Sequence, residues 1–92
     1  MIRAAGNRAQ LLRERLESRF APVRLVIQDE SQLHEGHAGA AQGGQSHFRV
    51  TVVSEVFRGM PSVARHRLIY GAVDDLMKSG IHALAIEALC PD

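Results

Sequence analysis

Apolar and polar residues alternate from His47 to Val53, with Phe48, Val50 and Val52 on one side and His47, Arg49 and Thr51 on the other. That period of two, in a β-branched and aromatic run free of Gly and Pro, predicts a strand over residues 46–54 with one buried face. Elsewhere the spacing is helical. Ala9, Leu12, Leu16 and Phe20 form one stripe while Arg13, Glu14, Glu17 and Arg19 face water. Asn7 with Gln10 resembles a capping box for this helix, and Pro22 ends it by disfavouring helical geometry at Ala21.

Residues 23–28 read as a first strand, with Val23, Leu25 and Ile27 inward. Past the central strand, residues 55–59 suggest a short helical turn closed by Gly59. Pro61 in the first turn and Ser62 as cap then open a longer helix. On it Val63, His66, Ile69, Val73 and Leu76 share one face, widened by Met77, and Lys78 and Gly80 mark its end. Residues 81–89 read as a third strand with Leu84, Ile86 and Ala88 inward, stopped by Pro91.

The expected order is α-β-β-α-α-β. Each strand has one apolar face, so the fold class is α/β: a three-stranded mixed sheet with helices on one face. Ninety-two residues suit a single domain, with residues 1–6 expected to be disordered.

Composition narrows the function. A net charge of +1 predicts no strong general attraction to nucleic acid or anionic membrane. Cys90 is the one cysteine, so no internal disulfide forms, and a reducing compartment is expected. No apolar run approaches bilayer-spanning length, and residues 1–6 carry no signal-type apolar core, so a cytoplasmic protein is expected.

The candidate chemistry lies in histidines. Between the first two strands, residues 29–45 form a long polar connection with Gly36, Gly39, Gly43 and Gly44; connections of this length are commonly functional or disordered. It carries His34 and His37, and His47 follows. The second and third strands, joined through a helix, should run parallel and therefore start at the same end of the sheet. That brings His82 to the rim holding His47 and the histidine-bearing connection. Cys90, eight residues beyond His82, would lie roughly 26 Å away along an extended strand, at the opposite end. It has no evident basic neighbour to activate it. Two or three imidazoles without thiolate or carboxylate make a poor closed zinc site, but suit a metal centre completed by another molecule. Solvent-facing histidines in a polar loop are the plain alternative.

Several pieces in order, at compatible spacings, carry a resemblance: Asp29-Glu30-Ser31, Gly36-His37-Ala38-Gly39, Ser46-His47-Phe48, Val53-Ser54, Phe57-x-Gly59, Arg65-His66-Arg67-Leu68-Ile69-Tyr70 and Ile81-His82-Ala83-Leu84. Together they resemble the BolA family over residues 12–91. The resemblance implies a fold similar to type II KH domains and partnership with a monothiol glutaredoxin. It further implies a [2Fe-2S] cluster held by a glutaredoxin cysteine, glutathione and histidine from this chain, with none expected in the isolated protein. The family's C-terminal ligand falls on His82. The second, from the connection, falls on His37 by its Gly-His-Ala context or on His34 by counting from Asp29-Glu30-Ser31. His47 is a weaker candidate, expected on the open face of the sheet. The chain stops soon after the third strand, without the longer tail of some members.

A nucleic-acid-binding transcriptional regulator, with DNA as partner, is the alternative from a different class. Arg58, Arg65 and Arg67 would form its basic patch, although Phe57-Arg58-Gly59-Met60 lacks the Gly-x-x-Gly of KH domains. A simple zinc or copper site on His34, His37 and His82 is a third reading. His66 is expected to be a hydrogen-bonded core histidine, and Tyr70 to pack near the helix edge. No nucleophile–base pair, paired carboxylates or phosphate loop stands out, so no enzyme is expected. Alone, the chain is expected to be a monomer or weak homodimer.

Overall fold

A computed structural model describes residues 8–30 and 47–92. The elements are α1 (Arg8–Phe20), β1 (Arg24–Asp29), β2 (His47–Val53), a 3-10 turn (Glu55–Phe57), α2 (Ser62–Ala72), α3 (Asp74–Lys78) and β3 (Ala83–Leu89). Asn7, His34, His37 and the expected disorder of residues 1–6 lie outside the described residues.

β2 is the middle strand, antiparallel to β1 and parallel to β3. Its register sets Val52 opposite Leu25 and Ala88, Val50 opposite Ile27 and Ile86, and Phe48 opposite Leu84. One face of the sheet is therefore apolar across all three strands, and α1 and α2 cover it. Leu12, Leu16 and Phe20 of α1 and Ile69, Ala72, Val73 and Leu76 from the second helical segment join the strand residues in one core. Phe20 also packs on Phe57, ring centres 5.4 Å apart. The other face carries polar pairs: Arg49 with Glu30 at 2.9 Å, and Thr51 donating to Glu87.

The end of α1 shows how local sequence sets a boundary. Ala21 is left-handed (φ 44°) while its N–H still bonds to the Glu17 carbonyl. A glycine would be the usual choice there, and Pro22, which disfavours right-handed helical geometry at Ala21, stops the helix from continuing. The Gln10 side-chain amide donates to the Glu14 carboxylate one turn on, at 3.1 Å. β1 begins at Arg24, and Val23, expected inward, is 69% exposed beyond the covered part of the sheet.

The single helix expected between Pro61 and Gly80 is in fact two. Arg15 of α1 donates to the Ala72 carbonyl at 2.7 Å and binds the Asp75 carboxylate with both terminal nitrogens. Val73 (φ −115°, ψ 17°) marks the break, next to the carbonyl that the Arg15 guanidinium reaches. Nor does Ser62 cap α2: Pro61 holds that position, with no side-chain bond. The inward stripe of α2 runs through Arg65, Ile69 and Ala72, so Val63 and His66, expected inside, are both exposed. At the far end, Gly80 (φ 135°) lies where a Cβ would strike the Arg8 guanidinium, itself bonded to the Ser79 carbonyl.

Ser54 ties these pieces together and is fully buried. Its hydroxyl donates to the Phe20 carbonyl (2.6 Å) and accepts from the Val56 N–H, and its own N–H donates to the Leu89 carbonyl. Ser54→Ala strands the Phe20 carbonyl without its donor, and should cost about 1–3 kcal/mol in urea denaturation. A change lost in the noise would mean that the carbonyl is satisfied another way.

Hydrogen bonds from Arg15 hold the Asp75 carboxyl at about 2, below its ordinary 3.8. A depressed carboxyl contributes stability above its unfolded value and loses it as pH falls through the folded one. Melting curves should therefore show an acid-dependent loss across that interval that Asp75→Asn lacks. Parallel profiles for the two proteins would contradict this role for the pair.

Candidate metal-binding rim

Parallel pairing of β2 and β3 has a direct chemical consequence. His47, the first residue of β2, is in register with Ala83, the first of β3, so His82 stands beside His47 at the same end of the sheet. Their imidazole centres are 6.0 Å apart and the rings nearly perpendicular, at 84°. Glu30 completes this end, its N–H bonded to the His47 carbonyl at 2.7 Å. Since residues 30 and 47 flank the connection carrying His34 and His37, that connection attaches at this rim.

The two imidazoles sit differently. His82 is exposed, while His47 is half-buried on the central strand. The buried Ile81 anchors the backbone that leads into His82. Among the described residues no three His, Cys, Asp or Glu side chains converge on one point. The described part of the rim thus carries two imidazoles and no thiolate, and of the two His82 is the one exposed to solvent; imidazole nitrogen is a ligand type found in iron–sulfur centres that mix histidine with cysteine.

Cys90 lies just past the opposite end of β3, as expected, and is free. Its surroundings differ from expectation, because Arg58 donates to the neighbouring Pro91 carbonyl at 2.8 Å and is a basic neighbour. The same Arg58 forms two bonds to Glu55, which hold that carboxyl below its ordinary range.

The three arginines singled out in the sequence are not equivalent. Arg65 donates to the carbonyls of Met60 (2.9 Å) and Ala88 (2.8 Å), and Tyr70 donates its hydroxyl to the Leu84 carbonyl (2.8 Å). Alternate carbonyls on a strand point to opposite sides. The Leu89 carbonyl faces β2, where Ser54 donates to it, so those of Leu84 and Ala88 face the free edge of β3. Arg65 and Tyr70 therefore close an edge that would otherwise be open to pairing. The interval of five residues between them matches no standard motif, so nothing in the sequence flags the pair. Arg67 is exposed and makes no ion pair among the described residues.

Comparison with known proteins agrees with this architecture. A family model described as BolA-like protein matches residues 16–92. The chain is 45% identical over 92 residues to SufE-like protein 1, chloroplastic/mitochondrial, of Arabidopsis thaliana, covering 96% of this chain but only 25% of that protein. It is 42% identical to the DNA-binding transcriptional regulator BolA of Vibrio cholerae, covering 83% of this chain and 68% of the relative. The solved BolA domain of SufE1 from Arabidopsis thaliana superimposes with a TM-score of 0.83 at 44% identity, covering 96% of each chain. No described helix is long and apolar enough to cross a membrane.

The arginines can be separated by stability. Arg65→Ala should cost about 1.5–3 kcal/mol in chemical denaturation, because a charged donor to two carbonyls is lost. Arg67→Ala should stay within about 0.5 kcal/mol of the wild type. Equal effects would remove the structural role assigned to Arg65.

Proposed function

This chain belongs to the BolA-like family, and from that premise we propose that it is an adaptor in iron–sulfur cluster assembly or trafficking. It binds a monothiol glutaredoxin and presents His82 to a [2Fe-2S] cluster, with His37 or His34 of the connection as its second ligand. A glutaredoxin cysteine and glutathione supply the thiolates. The observation that carries the reading is an exposed imidazole on the rim where the histidine-bearing connection attaches, with the one cysteine at the opposite end. The cluster is cargo here. Neutral imidazole is a weaker, protonatable ligand beside thiolate, which favours handing a cluster on over keeping it. The lone cysteine fits a reducing compartment, for which we propose the cytoplasm, whereas the name of the Arabidopsis relative places that protein in chloroplast and mitochondrion.

The Vibrio cholerae relative, a DNA-binding transcriptional regulator by name, favours a second reading, DNA-binding regulation. Its weak point is the basic patch. Arg58 and Arg65 are engaged with Glu55 and with backbone carbonyls, leaving Arg67 with no such tie among the described residues.

Co-expression with a monothiol glutaredoxin should yield a coloured complex whose visible circular dichroism changes in His82→Ala, while the chain purified alone holds little iron or zinc. A spectrum indifferent to that substitution would sink the ligand assignment. Duplex DNA binding with a steep salt dependence, lost in Arg67→Ala, would favour the second reading instead.

A further inference from the structure

His82 is anchored as backbone but not as side chain. Ile81 before it is buried and Ala83 after it opens β3, yet the His82 ring is exposed and makes no hydrogen bond or ion pair among the described residues. A histidine so placed would ordinarily sample several rotamers. What stands against it is the His47 ring, edge to face, 6.0 Å between centres. Of the two rings that of His47 is the more enclosed: the residue is half-buried at the start of the central strand, whose backbone is set by bonds to Glu30 and the ladder to β3, whereas His82 is exposed. Perpendicular aromatic pairs of this kind are favourable beyond their buried area, since the positive edge of one ring meets the negative face of the other.

We propose that His47 is a positioning residue for His82: its imidazole is a fixed wall that holds the His82 ring in one orientation before any ligand arrives. The consequence for function rests on the reading of His82 as a cluster ligand, but the positioning itself does not. Ordering a side chain in advance removes that cost from binding. Loss of the wall should therefore weaken the cluster-bridged complex by roughly three- to tenfold, without changing which atoms coordinate.

Two substitutions separate a wall from a ligand. His47→Phe keeps an aromatic ring and removes both nitrogens, whereas His47→Ala removes the ring. In the free chain, with selectively labelled histidine and the amide spectrum as a check on folding, χ1 couplings of His82 should report one rotamer in the wild type and in His47→Phe. They should average in His47→Ala. In titrations with cluster-loaded glutaredoxin, His47→Ala should dissociate several-fold faster with an unaltered cluster spectrum, and His47→Phe should restore the wild-type rate. Unchanged His82 couplings in His47→Ala would overturn the positioning role whatever the cluster does. If His47→Phe keeps the couplings yet alters the cluster spectrum as His82→Ala does, His47 is itself a ligand and the proposal falls. If the couplings respond as expected while His82→Ala leaves the cluster spectrum untouched, the positioning stands and the adaptor reading fails.

Discussion

Two parallel strands can be neighbours only if the chain travels back along the sheet between them, and in this protein that return sets the chemistry of both ends. β2 runs from His47 to Val53, the chain goes back through α2 and α3, and β3 sets out again beside His47. Ser54 fixes the register at the far end, its N–H on the Leu89 carbonyl and its hydroxyl on the Phe20 carbonyl. A slip of one residue would turn Leu84, Ile86 and Ala88 toward the polar face and expose the core beneath α1 and α2. The same register that buries these residues delivers His82 to His47. The histidine contact thus comes with the packing of the core, and needs no separate stabilising device.

The return path is itself held by polar contacts to the backbone. Arg15 reaches from α1 to the Ala72 carbonyl and Asp75, and Arg65 and Tyr70 of α2 reach the free edge of β3. Each guanidinium or hydroxyl takes up a carbonyl that would otherwise interrupt a helix or an edge without a donor. This changes the weight of the nucleic-acid reading. A cation that holds two carbonyls in place is less available to a phosphate, and a variant lacking it confounds binding with folding.

Chemically the sheet has two unlike ends. One carries imidazoles, Glu30 and the attachment points of a histidine-bearing connection. The other carries Cys90, Arg58 and the exposed side chains of Val23 and Leu89. The thiol and the imidazoles are thus kept at opposite ends of the sheet and cannot act together within one chain.

Much of this could be read from residue spacing. The alternation through Phe48, Val50 and Val52, the Leu12–Leu16–Phe20 stripe and the helical link between the last two strands determine a three-stranded mixed sheet and its strand directions, and hence the end on which His82 lies. These follow from local periodicity and from the handed, one-way geometry of crossovers. Other features depend on contacts between residues far apart in the chain, which no local period records. The break at Val73 is bracketed by the bonds of Arg15, from a different helix, to Ala72 and Asp75. His66 and Val63 face solvent, while Arg65 turns toward the sheet and bonds to the carbonyls of Met60 and Ala88. The perpendicular meeting of His47 and His82 needs two backbones held side by side, and only the folded sheet does that.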